Sequence, residues 1–377
     1  MRRREFLEAS LGSLGGLLVK SNVVLPEAKK KIVIHGAYGS PKALWDKGIR
    51  LNELGIDAIF VSSGALEENL IRRARSEGAR VFAEFATFNG DGWLVQREAE
   101  RETPIEAHRD AWPVDETGQP SPRQSWFLGI CPTNESFVTS KLEALKQLVV
   151  THRIDGVWLD YLHWHAQFEE PKPLLPETCF NESCITKFQE QTGIRVKGTR
   201  PQEWAREVLR NHTYQWRSWR CAVVADFARR CREVLWQHAS HMQLGNFQCA
   251  WRDEEYGGGR RAILGLDLKI LADIFDVMSP MVYHARSGHS VRWVEQNVRW
   301  LSNDLKLKGA AVEKPRIWPI VQAWSDPNGE SVSPEQFERV LQSGLSGAAT
   351  GVMMFTLAAV AEDEAKRAVL KKVYQAT

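Results

Sequence analysis

The stretch Ile154-Asp155-Gly156-Val157-Trp158-Leu159-Asp160-Tyr161 decides the fold. An apolar, strand-forming run closes on a carboxylate, Asp160, and a cluster of rings (Tyr161, His163, Trp164, His165) follows at once. In a barrel of parallel strands, the C-terminal strand ends open into the mouth where ligands bind. A polar residue there reads as chemistry rather than packing. Taken alone, an aspartate at a strand end is a turn or cap residue, a common use of Asp. The rest of the chain supplies the barrel that the first reading needs.

Seven further runs share this character: Lys31–Gly36, Asp57–Ser62, Arg80–Phe85, Met242–Phe247, Asp276–Tyr283, Arg316–Val321 and Gly351–Thr356. They are near-continuous apolar runs, as expected of parallel strands buried on both faces. Between them lie segments of helical periodicity, among them Leu66–Glu77, Glu135–His152 and about Pro201–His238. Ser333 before Pro334 gives another helix a cap residue and a first-turn proline. Strand and helix alternating eight times predict an α/β chain, a single (β/α)8 barrel. The competitor is a doubly wound open sheet, but His35-Gly36-Ala37-Tyr38-Gly39-Ser40 lacks the G-x-G-x-x-G spacing of a phosphate-binding turn. Two connections exceed ordinary barrel loops: residues 86–134 after strand three and 161–241 after strand four. Both emerge on the C-terminal face, where long loops wall a substrate groove.

Of 377 residues, 43% are hydrophobic and 25% charged, which suits a soluble domain with a sizeable core. A net charge of +2 gives no electrostatic case for a nucleic-acid partner. The 15 tryptophans lean towards carbohydrate, since indole faces stack on sugar rings as well as filling cores. Met1-Arg2-Arg3-Arg4-Glu5-Phe6-Leu7 and the mild apolar run Ala9–Val19 fit an export leader and are too short to span a membrane. Arg3-Arg4-Glu5-Phe6-Leu7 resembles a twin-arginine motif, which implies a periplasmic or secreted protein. Residues 1–29 are therefore set apart as a leader and 30–377 taken as the barrel domain. Cysteines stand at 131, 179, 184, 221, 231 and 249. In an oxidising compartment Cys179 and Cys184 are expected to close a local disulfide, whereas Cys179-x4-Cys184 is a thin basis for zinc. Cys221 and Cys231 read as buried thiols of a long helix.

Asp155-Gly156-Val157-Trp158-Leu159-Asp160-Tyr161, followed by Cys179-Phe180-Asn181-Glu182-Ser183-Cys184-Ile185-Thr186-Lys187-Phe188-Gln189-Glu190-Gln191-Thr192-Gly193, resembles bacterial glycosyl-hydrolase-like TIM-barrel proteins. These show a D-G-hydrophobic-hydrophobic-L-D-Y strand, a cysteine-containing loop and a K-F-x-E-x-T-G helix. The stretch from Leu266-Asp267-Leu268 to Phe275–His284 is similar to their sixth-strand region, so the likeness covers roughly residues 30–370. It implies a glycosidase barrel with Asp160 as nucleophile or stabilising carboxylate.

A glycosidase needs two carboxyl groups flanking the scissile bond, one protonated and one ionised. Beside Asp160, the candidates for the acid are Glu84, at the end of strand three, and Glu254 or Glu255, on a loop with Trp251, Tyr256 and Gly257-Gly258-Gly259. A buried structural partner is the plainer reading of Glu84, and a solvated charged loop that of Glu254. His35, Tyr161, His163, His165 and His284 fall at or near strand ends as candidate substrate ligands, with Tyr283, Gln322 and Trp324 completing a sugar-binding rim. The expectation is an exported glycoside hydrolase with a carbohydrate partner, no cofactor and no membrane span. Two alternatives stay open: a carbohydrate-binding barrel without catalysis, and a metal-dependent hydrolase using the histidine cluster.

Overall fold

The computed structural model describes residues 34–90, 111–121, 127, 129–309, 313–325 and 331–376. The leader lies outside them. Nine strands, β1 (Ile34–Tyr38), β2 (Ala58–Ser62), β3 (Arg80–Ala86), β4 (Gly156–Asp160), β5 (Gln243–Cys249), β6 (Val277–Val282), β7 (Arg316–Ile317), β8 (Ile320–Gln322) and β9 (Gly351–Phe355), form one sheet. Every pairing is parallel, and the β1–β9 pairing closes the ring. The chain is a (β/α)8 barrel. Its seventh strand is written in two pieces because Pro319 has no N–H to give the ladder. Both pieces still pair with β6.

Alternation along the strands builds two cores. Ile34, Ala58, Phe60, Phe82, Trp158, Phe247, Trp318, Ile320 and Met353 fill the barrel interior. Trp158 stacks on Trp318 at 5.5 Å, meets Phe60 and Phe82 edge-on, and donates its indole N–H to Ser279 Oγ at 3.0 Å. The intervening positions, such as Ile59, Val81, Val157 and Leu244, pack outwards into the larger cluster shared with the helices. So large a ring inside the barrel requires a gap beside it. A Cβ added at Gly245 would sit 2.2 Å from Trp158. We expect Gly245→Val to destabilise the fold by about 3 kcal/mol, as overpacking of a filled interior does. A thermal midpoint within 1 °C of wild type, on a scale where about 1 kcal/mol moves a domain of this size by a few degrees, would refute that.

The helices form where periodicity placed them, with local chemistry fixing their ends. Asn134 caps Glu135–Thr151 by accepting from the Phe137 N–H at 2.9 Å. Ser333 and Gln336 make a reciprocal capping box at Pro334–Gly344. The expected single helix from Pro201 to His238 is two, Pro201–Asn211 and Thr213–His238, broken at His212, whose backbone leaves helical geometry. Among the described residues no helix is long and apolar enough to cross a membrane.

Candidate active site

Inward parity carries on to the C-terminal strand ends. Gly36 faces the interior, so Tyr38 does; Phe82 leads to Glu84, Trp158 to Asp160, and Met353 to Phe355. Above these ends lies a cavity of about 340 Å³, lined by Asp160 and rings that include Tyr38, Tyr161, Tyr283, Trp324 and Phe355. The last three pack at mutual ring distances of 4.9–5.4 Å, and Tyr38 lies 4.7 Å from Phe355. On the other side Phe127 stacks on Tyr161 at 5.3 Å and nearly parallel. Tyr161 holds a left-handed backbone (φ 53°), rare for a ringed residue and a form of local strain found at functional sites. Its N–H donates to Asp160 Oδ1 at 2.7 Å.

Burial raises the carboxyl groups at the floor of this cavity. Glu84 is buried, and burial pushes it up; the Ser62 and Tyr38 hydroxyls and the Lys141 ammonium pull it back part of the way. The Tyr38 hydroxyl stands 3.5 Å from Glu84 Oε2. Asp160 is raised well above the carboxylate range, by burial first and then by the negative charge of Glu84. Two like charges in one apolar floor disfavour one another, so the pair resists full ionisation.

A third carboxyl lines the same cavity. Glu169 follows the aromatic run after β4, its side chain 23% exposed, and burial raises it to about 7 against the opposing pull of Arg286. Arg286 lies 3.9 Å from Glu169 and pairs with Glu170 at 2.6 Å. Glu169, Tyr38 and Arg286 were not among the sequence candidates. Tyr38 was missed because the first strand, read as Lys31–Gly36, continues to residue 38. The signal for Glu169 was present: Phe168-Glu169-Glu170 puts adjacent carboxyls beside rings, the setting that raises a carboxyl pKa.

Several expected ligands stand elsewhere. His35 is the second residue of β1, at the opposite end of the barrel from the mouth. There its backbone N–H and ring meet Asp57 at 2.9 and 3.5 Å. Glu254 does not line the cavity; its side chain is 65% exposed and lies 3.4 Å from Arg252. Gln322 is fully buried, accepting from the Arg286 N–H at 3.0 Å and donating to the Trp324 carbonyl at 3.1 Å. It shapes the rim instead of lining it.

His163 does line the cavity, with Nδ1 2.7 Å from the Trp164 carbonyl, and burial lowers it to about 4. His165 is buried against Phe127 at 5.4 Å, and His284 is buried and lowered to about 4. The histidines thus do not gather into one ligand set. Among the described residues, the only group of three potential ligands close enough to hold an ion is Cys131, Cys179 and Cys184.

No family model and no curated protein matches the chain. Solved structures do match. The glycoside hydrolase domain of PgaB (BpsB) from Bordetella bronchiseptica aligns with a TM-score of 0.66 at 13% identity, over 91% of this chain and 99% of that one. A β-galactosidase from Bacillus circulans sp. alkalophilus aligns with a TM-score of 0.65 at 12% identity, over 92% of this chain and 56% of its own. The catalytic domain of a β-amylase from Paenibacillus polymyxa aligns with a TM-score of 0.56 at 11% identity, over 91% and 98%. The likeness is one of fold, a (β/α)8 barrel shared with these proteins.

Proposed function

We propose that the protein is an exported glycoside hydrolase that cleaves an oligo- or polysaccharide with Asp160 and Glu169 as its carboxyl pair. The observation that carries this reading is their convergence on one ring-walled cavity. Burial and the charge of Glu84 raise Asp160 well above the carboxylate range, and burial raises Glu169 to about 7 beside a guanidinium. On this reading Asp160 is the protonated and Glu169 the ionised member that two-carboxylate hydrolysis needs. Asp160 then donates its proton to the leaving oxygen, and ionised Glu169 acts on the other side of the sugar as nucleophile or as base towards water. The resemblance-based role for Asp160, nucleophile or stabiliser, is the reverse of this order. Glu84 supports it as a buried neighbour whose charge raises Asp160 further. The arginine-rich leader supports export.

Release of reducing sugar or aryl alcohol from a panel of polysaccharides and aryl glycosides tests the activity. Sugar binding with no release by wild-type protein across that panel would favour the carbohydrate-binding barrel. Trp324 presents a ring to the cavity and serves as a stacking platform. Trp324→Ala is expected to raise KM about 5-fold while leaving kcat within about 2-fold, from the ~1 kcal/mol worth of a ring contact. An unchanged KM would take Trp324 out of the binding surface.

A further inference from the structure

We infer that Cys131 and Cys184 form a disulfide in the mature protein, tying the segment after β3 to the helix Glu182–Thr192 in the segment after β4. This goes beyond the hydrolase reading and does not depend on it. The two sulfurs face each other at 3.0 Å, and the Thr133 hydroxyl lies 3.1 Å from each. Cys179, the partner expected for Cys184, lies within 4.8 Å of both other sulfurs, and its sulfur accepts from the Val114 N–H at 3.2 Å. The two segments are already held together here, because Phe180 N–H donates to the Val114 carbonyl at 2.9 Å and Asp115 bridges Thr178. All three cysteines are fully buried.

The chemistry is thiol–disulfide exchange with a disulfide-bearing oxidant, a thiol oxidoreductase or oxidised glutathione. Cys184 thiolate attacks the oxidant's disulfide, whose S–S bond breaks; one sulfur departs as thiolate and the other stays on Cys184 as a mixed disulfide. Cys131 thiolate then attacks the Cys184 sulfur, the Cys131–Cys184 bond forms, and the second oxidant sulfur leaves. The two thiol protons pass to the departing thiolates; the protein loses two electrons and the oxidant gains them. Since burial closes the site, exchange takes place before the two segments dock.

The test is peptide mapping of the full chain refolded in a glutathione redox buffer, acid-quenched and alkylated before non-reducing digestion. A Cys131 peptide linked to a Cys184 peptide, with Cys179 alkylated, is the expected result. Reductant should lower the thermal midpoint by about 5 °C or more, a loop of this length being worth several degrees. Cys179→Ala keeps that shift and Cys184→Ala abolishes it. Alkylation of all three cysteines, a Cys179–Cys184 link, or one zinc per chain held by all three thiolates (read with a chromogenic chelator) would each overturn the assignment. The mapping needs only wild-type protein, so it decides the matter even if a variant fails to fold.

Discussion

Asp160→Asn should lower kcat/KM by a thousandfold or more, about 4 kcal/mol of transition-state stabilisation, while the fold is kept. The fold survives because an Asn carbonyl can still accept the Tyr161 N–H, and because the amide removes the cost of a carboxyl buried beside Glu84. The thermal midpoint should stay level or rise. Choice of substrate separates the two roles open to this residue. If Asp160 delivers the proton, a dinitrophenyl glycoside, whose leaving group needs no proton, should recover most of the lost rate in the variant. If Asp160 were the nucleophile, that substrate would be as poor as the rest. Full activity of Asp160→Asn on any confirmed substrate would remove it from the mechanism.

Glu169→Gln is the second large effect, with a loss of about a hundredfold to ten-thousandfold in kcat/KM, the usual worth of an acid–base or nucleophilic carboxyl. Glu254→Gln should change the rate less than 2-fold, since the exposed Glu254 does not line the cavity. Stability carries a second signature. A carboxyl raised to about 7 when folded binds its proton more tightly folded than unfolded, so stability falls as pH rises from about 4.5 to 7. Glu169→Gln should flatten that window in a urea titration. A slope equal to wild type would mean that Glu169 is not the group titrating there.

Much of this was legible in the sequence, for physical reasons that also explain the misses. Strands buried on both faces announce themselves as apolar runs, so the barrel and the mouth position of Asp160 could be read directly. Strand ends could not. Ending β1 at Gly36, two residues short of Tyr38, put His35 at the mouth and hid Tyr38, because hydrophobicity marks a strand's middle better than its limits. Glu254 drew attention by standing among aromatic and glycine residues, yet sequence neighbours on a loop need not share its burial. Glu169 lies nine positions past Asp160, and no period links a strand end to a loop that folds back over it. That return is made by packing: Phe168 against Trp251 and His163, and Arg286 arriving from beyond β6 to meet Glu169 and Glu170. The cysteine spacing likewise showed a neighbour pair, while a sulfur 3.0 Å from that of Cys184 comes from 53 residues earlier.

The central claim is that Asp160 and Glu169 act as a pair with Glu169 ionising near neutrality, and the pH dependence of kcat/KM tests it most directly. The wild-type profile should rise on an acid limb centred at about pH 7, as Glu169 loses its proton. The residual activity of Glu169→Gln should show no such acid limb. An acid limb near pH 4.5 in the wild type, or one that persists at pH 7 in Glu169→Gln, would contradict the account.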